Sequence, residues 1–231
     1  MNAPKLEILA YEPSKLGLLC LRRRDLPGRP GVSITEITLE HEFLMSSYLT
    51  ASERALSTIA LEMRAGTGFS VLVGGLGLGY TAHAALQSDR VASVDVVEYL
   101  PQVIQWMRDG LVPLAAELNA DARLRVIEGD VYARLLAPPE RRYDLILIDV
   151  DHSPTEALGS TSAAFYAEEG LRRARLHLAP GGVLGVWSYA QHSPFADALR
   201  RVFGVVREEP VTAFNDLIDE EQTDWLFFVR A

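Results

Sequence analysis

The spacing of hydrophobic and polar positions changes several times along the chain. Val71, Leu72 and Val73 are apolar on consecutive positions, the pattern of a strand covered on both faces. Gly74, Gly75, Gly77 and Gly79 follow at once, and residues 80–86 (YTAHAAL) then take helix-compatible spacing. Strand, glycine turn and helix open a nucleotide-binding βαβ unit. Glycine admits positive φ and close approach of a ligand to the backbone, and the helix start offers free N–H groups. Further strands are expected at 91–97, 123–128, 143–148, 183–187 and 225–229. Helices are expected after Thr50, where Thr50 or Ser52 can cap, and over 101–107, 165–178 and 193–202.

Residues 1–50 follow another rhythm. Three short strand-like runs, 5–11, 16–21 and 32–39, are separated by the turn-forming stretches EPSK and DLPGRPG, which implies a small antiparallel β appendage. Arg22, Arg23 and Arg24 read as a solvated strand end. The division is therefore 1–50, the appendage, and 51–231, an α/β domain. That domain is a Rossmann-like, doubly wound, mostly parallel sheet with helices on both faces.

In such sheets ligands sit beyond the carboxyl ends of the strands. The residues just past the first four strands of the domain are Gly75–Gly79, Glu98, Asp130 and Asp149 to Asp151. Glu98 lies 23 residues past Gly75, where an acid accepts hydrogen bonds from ribose hydroxyls; the alternative is a cap for the next helix. Asp130 can accept from an exocyclic amine such as adenine N6, or cap the helix over 132–136. Asp149 is either a working carboxylate or a strand-end cap. Trp187, Tyr189 and His192 follow the fifth strand and line an acceptor pocket or pack its rim.

Composition narrows these readings. The formal charge is −9 and no lysine follows Lys15, so general nucleic-acid binding and a P-loop are excluded. A cationic ligand without phosphates suits three acids at strand ends. Cys20 is the only cysteine, which fits a reducing, cytoplasmic setting and excludes a cysteine metal cluster. No spacing of histidines and acids matches a metal site. Asp151, His152 and Ser153 are adjacent on one loop, unlike a hydrolase triad. No apolar run approaches the roughly 18 residues of a membrane span.

Several motifs together resemble the spermidine synthase-like (polyamine aminopropyltransferase) family of the class I S-adenosylmethionine-binding fold. They are VLVGGLGLG at 71–79, VEYLPQVI at 97–104, GDVYARL at 129–135, YDLILIDVD at 143–151 and FYAEEGLRRARLHLAPGGVL at 165–184, with DWLFFVRA at 224–231. The resemblance implies that Gly75, Gly77, Gly79, Glu98 and Asp130 hold S-adenosylmethionine or its decarboxylated form. It implies that Asp149 sits beside an attacking amine as acceptor or base and that the protein is a homodimer; with Asp151 close by as a second catalytic acid, His152, Trp187 and Tyr189 are the expected substrate-binding residues. Three places depart from the family. Gly77 stands where its glycine turn usually carries an Asp for the donor's amine, and His152 where a second loop Asp is usual. Glu53-Arg-Ala-Leu-Ser57 replaces its Tyr-His pair. Aminopropyl transfer to an amine is the first expectation. Methyl transfer from intact S-adenosylmethionine to a small acceptor is the alternative, and a non-catalytic nucleoside-binding module the rival.

Overall fold

The structure is a computed structural model describing residues 5–26, 28–29, 31–150 and 160–231. The appendage is a four-stranded antiparallel meander of β1 (Leu6–Ser14), β2 (Gly17–Asp25), β3 (Ser33–Leu39) and β4 (Glu42–Ser46). The fourth strand, only five residues long, was not expected. It is reached through a tight turn in which Glu40 and His41 both take positive φ, the geometry two-residue hairpins require. The appendage packs one face into the core of the domain. Leu19, Leu21 and Ile37 are fully buried in one cluster with Leu56 and Val71. The sheet is also tied to the domain by Trp106, whose Nε1 donates to Glu12 over 2.8 Å.

The domain is a seven-stranded sheet of β5 (Phe69–Gly74), β6 (Val91–Glu98), β7 (Leu124–Glu128), β8 (Tyr143–Ile148), β9 (Leu178–Ser188), β10 (Val206–Asn215) and β11 (Glu220–Arg230). The spatial order is β10-β11-β9-β8-β5-β6-β7. Neighbours from β7 to β9 are parallel, and β11 and β10 close the edge as an antiparallel hairpin. The consecutive apolar residues now have a reason. Val71, Val73, Leu145 and Leu147 face a core shared with α1 (Ala51–Glu62), α2 (Tyr80–Leu86), α3 (Pro101–Arg108) and α4 (Ala115–Ala120). Leu72, Ile146 and Ile148 face the opposite core, against α5 (Val131–Leu136), α6 (Ser160–Tyr166), α7 (Glu168–Leu176) and α8 (Ser193–Phe203). Each such side chain contributes about 1.5–3 kcal/mol by leaving water. No helix among the described residues is long and apolar enough to cross a membrane.

Two expected elements differ. The helix over 165–178 is divided into α6 and α7 at Ala167, which is extended (φ −76°, ψ 156°). The break lets Phe165 and Tyr166 enter an aromatic chain with Tyr132 and Phe195, ring centroids 5.1 to 5.8 Å apart. The acidic stretch before the last strand is part of the β10–β11 hairpin, with Asp224 paired to Val211 in register. The hairpin tip meets the appendage, where Tyr48 Oη donates to Asp216 Oδ2 over 2.8 Å and Arg29 forms an ion pair with the same carboxylate.

Candidate functional site

Strand order reverses between β5 and β8, since the chain leaves β5 for β6 on one side and later returns to β8 on the other. Crevices form at such switch points. Here a cavity of about 1040 Å³ opens, walled on one side by β4 and on another by the β10–β11 hairpin. Gly75, Gly77, Glu98, Asp130, Asp149, Trp187 and Tyr189 all line it. Gly79 is not among the lining residues. It begins α2 at φ +90°, and a Cβ there would stand 2.4 Å from Leu118 Cδ1, so its lack of a side chain serves packing. Asp151 and His152 lie outside the described residues. His192 instead caps α8, its Nδ1 accepting from Phe195 N–H.

The glycine turn and the two acids beside it form one end. Gly75 has φ +89°, and a Cβ on it would lie 2.2 Å from the Asp149 carbonyl oxygen. The strand ends are sewn together there, Gly75 N–H donating to Val97 and Asp149 N–H to Gly74. Glu98 is nearly buried. Its Oε2 accepts from Leu76 N–H (2.7 Å) and its Oε1 from Leu100 N–H (2.8 Å). Burial pushes its carboxyl up from the ordinary value, partly offset by these backbone donors. The backbone N–H groups of Gly77 and Tyr99 also face this carboxyl, which borders the cavity. Asp130 makes the cap weighed above, with Oδ1 accepting from Tyr132 N–H and Ala133 N–H, and it borders the cavity as well. Gly77 has φ +50°, and a Cβ there would fall 2.3 Å from Met45 Cε. The thioether of β4 occupies the space a larger residue would need.

The other end is acidic. Glu53 from the first turn of α1, Asp149 just past β8 and Asp224 from β11 face the cavity together. Asp149 Oδ2 accepts from Thr81 Oγ1 at 2.5 Å. Ser52 Oγ is 2.6 Å from Asp224 Oδ2 and 3.1 Å from Glu53 Oε2, and it accepts from Trp187 Nε1 at 3.0 Å. Ser52 has one proton, so it serves one carboxylate at a time. None of the three acids pairs with a lysine or arginine among the described residues. Burial, then the charge of Asp149, pushes the Glu53 carboxyl up to about 8. Burial raises Asp149 to about 6 against the Thr81 hydroxyl, with the Asp224 charge adding to the rise. Asp224 is raised by burial as well. Like charges sharing a dry site without a counter-ion hold protons in this way.

Unfolded, these carboxyls ionise near 4; folded, Glu53 keeps its proton to about 8. The native state therefore binds more protons between those values, and stability falls as pH rises through that window. A bound cation reverses the shift. Titrating a short alkylamine at pH 7 in buffers of different ionisation enthalpy should show release of roughly one proton per site; uptake, or no exchange, would contradict the arrangement.

Neither Glu53 nor Asp224 stands out as a site residue in the sequence pattern. The signal for Glu53 was its place in the segment that departs from the family's Tyr-His pattern. Asp224 had none beyond an acidic stretch. The arginine cluster is a solvated strand end only in part. Arg23 points away toward Glu7, but Arg22 and Arg24 line the cavity. They grip Glu36, with Nε of Arg22 on Oε2 and Nε of Arg24 on Oε1, at 2.8 and 2.9 Å. Burial raises the Glu36 carboxyl, and the two guanidiniums outweigh it and hold it below the ordinary value.

No protein-family model matches the chain. Polyamine aminopropyltransferase 2 of Streptomyces coelicolor is 35% identical over 138 residues, covering 59% of this chain and 23% of that protein. The chain thus spans about a quarter of the length of this curated relative. Spermidine synthase from Thermotoga maritima superposes with a TM-score of 0.73 at 16% identity, over 96% of this chain and 72% of that one. A spermidine synthase in complex with the transition state analogue AdoDATO gives 0.75 at 17% identity, over 96% and 73%. Human methyltransferase-like protein 13 in complex with SAH gives 0.57 at 18% identity, over 77% and 81%. At these identities the structures attest the fold, and the curated relative adds sequence likeness. The chain has the Rossmann-like fold of spermidine synthase and of this methyltransferase-like protein, and over 138 residues its sequence is similar to that of a polyamine aminopropyltransferase.

Proposed function

We propose that this chain transfers an aminopropyl group from an adenosyl sulfonium, decarboxylated S-adenosylmethionine, to a small amine. The observation that carries the reading is the trio Glu53, Asp149 and Asp224, half-buried and without a cationic partner among the described residues. Such a site favours a cationic occupant. The curated relative's name, an aminopropyltransferase, supports the same chemistry. Glu98 takes the ribose hydroxyls, Asp130 the adenine edge, and the backbone of the Gly75–Gly79 turn lies against the nucleoside.

An alkylammonium has a pKa of about 10 and is not nucleophilic until it loses a proton. Asp149, held by Thr81, orients the amine and accepts that proton. The nitrogen then bonds to the aminopropyl carbon next to sulfur. The carbon–sulfur bond breaks with its electron pair left on sulfur, which turns the sulfonium into the neutral thioether of methylthioadenosine. Glu53 and Asp224 balance the charge of the incoming cation, and Trp187 and Tyr189 wall its methylene chain.

Incubation with decarboxylated S-adenosylmethionine and a panel of amines should release methylthioadenosine. A second reading, methyl transfer from intact S-adenosylmethionine, is favoured by Gly77 against Met45, which places no acid at that point of the turn. S-adenosylhomocysteine as the sole product would select it. Tight nucleoside binding with neither product would select a non-catalytic module.

A further inference from the structure

We propose that the acceptor is a zwitterion, an amine whose far end carries a carboxylate or another small anion held by Arg22 and Arg24. This rests on the reading that the acid trio receives an amine. The cavity has two electrostatic poles. The acids come from α1, the end of β8, and β11. The arginines come from β2, on the wall supplied by the appended sheet, and no ion pair joins the two groups.

The arginine pole is more than a clasp between strands. In the β2–β3 ladder Arg22 stands opposite Glu36, and Arg24 is two residues on, on the same face. One arginine would neutralise Glu36. Two leave a surplus of one positive charge. Glu36 spends both oxygens, each receiving Nε and Nη2 of one guanidinium. Neither Nη1 has a protein partner among the described residues, and neither is buried without one. The guanidinium side chains keep 36% and 27% of their exposure, on a wall that also holds Phe43 and Leu44. A surplus cation beside apolar surface recruits an anion, and the two Nη1 groups left over by Glu36 can donate to a carboxylate. A diamine would set its second ammonium against this surplus.

The test compares length-matched acceptors. Putrescine, 1,6-hexanediamine and 1,8-octanediamine are titrated calorimetrically into the protein saturated with methylthioadenosine. 4-Aminobutanoate, 6-aminohexanoate and 8-aminooctanoate are titrated in the same way. At one chain length or more the amino acid should bind at least tenfold tighter than its diamine. Arg24→Gln removes the surplus charge and leaves Arg22 to pair with Glu36, and Arg22→Gln does the converse. Each should cut the preference at least fivefold, with melting curves confirming a folded protein. Diamines binding as tightly or tighter at every length would overturn the proposal. So would a preference that survives both substitutions, or no binding by any amino acid. Methylthioadenosine release from decarboxylated S-adenosylmethionine is measured in parallel. No release with either series refutes aminopropyl transfer, while the binding preference decides the present proposal separately.

Discussion

Asp149→Asn is expected to slow aminopropyl transfer by roughly 10²–10⁴-fold, the usual worth of a positioned general base. Nucleoside affinity should stay within a few-fold of the parent. The amide keeps the shape of the side chain and can still accept from Thr81 Oγ1, so the loop after β8 stays in place. What disappears is the capacity to take a proton. Asp149 sits near 6 because its carboxyl is desolvated and shares the cavity with Asp224. In the parent, kcat/KM should therefore rise with pH through about 6 as Asp149 ionises, and Asp149→Asn should erase that limb. Stability should move the other way. Removing a desolvated charge relieves the fold, so the variant should melt at or above the parent temperature near pH 7. Methylthioadenosine release across pH 5 to 9, calorimetry with methylthioadenosine and a melting curve cover all three points. Parent-like turnover in Asp149→Asn would remove it from the reaction.

Gly75→Ala should cost about 3 kcal/mol or more and abolish nucleoside binding. Two penalties coincide. The backbone is in the left-handed region at φ +89°, and the new methyl would stand 2.2 Å from the carbonyl oxygen of Asp149. That oxygen belongs to backbone and cannot swing aside as a side chain can. Relief requires β5 and β8 to part where Asp149 N–H bonds to Gly74, which also moves the base. Gly28→Ala is the control. Its φ is +78°, and nothing lies within 4 Å of a Cβ there, so it bears only the conformational cost of about 1–2 kcal/mol. Urea midpoints for the two variants should differ clearly. Equal midpoints with nucleoside binding retained in Gly75→Ala would refute the close approach of the two strand ends.

The parallel half of the sheet was legible because its strands are covered on both faces. Val71, Leu72 and Val73 are apolar in succession since they feed two cores, and Gly75 follows where the chain must turn. Glu98, Asp130 and Asp149 could be placed because a strand end is a position that sequence periodicity marks. The acceptor side was not legible by this route. The first half of β11, Glu220 to Asp224, runs beside the cavity and reads EEQTD, with no apolar alternation to betray a strand. Glu53 sits on a helix turn whose orientation depends on packing against Thr81 and Trp187. Arg22 and Arg24 alternate with Arg23, and a charged strand looks solvated until the partner on β3 is known to be a buried glutamate. β4 was too short for periodicity, yet its Met45 sets the space at Gly77.

The contact of Asp216 with Tyr48 and Arg29 gives the two halves of the chamber different histories during folding. The glycine turn, Glu98, Asp130 and Asp149 are assembled within one stretch of about eighty residues, from β5 to β8. The acceptor half needs Ser52 to meet Asp224, 172 residues away, and Tyr48 to meet Asp216, 168 residues away. Closing such long loops is slow relative to local pairing. On the proposed function, donor recognition is a property of a segment, whereas acceptor recognition emerges only when distant parts of the polypeptide have docked. On that reading, a chain caught halfway through folding would hold the nucleoside and have nothing to react it with.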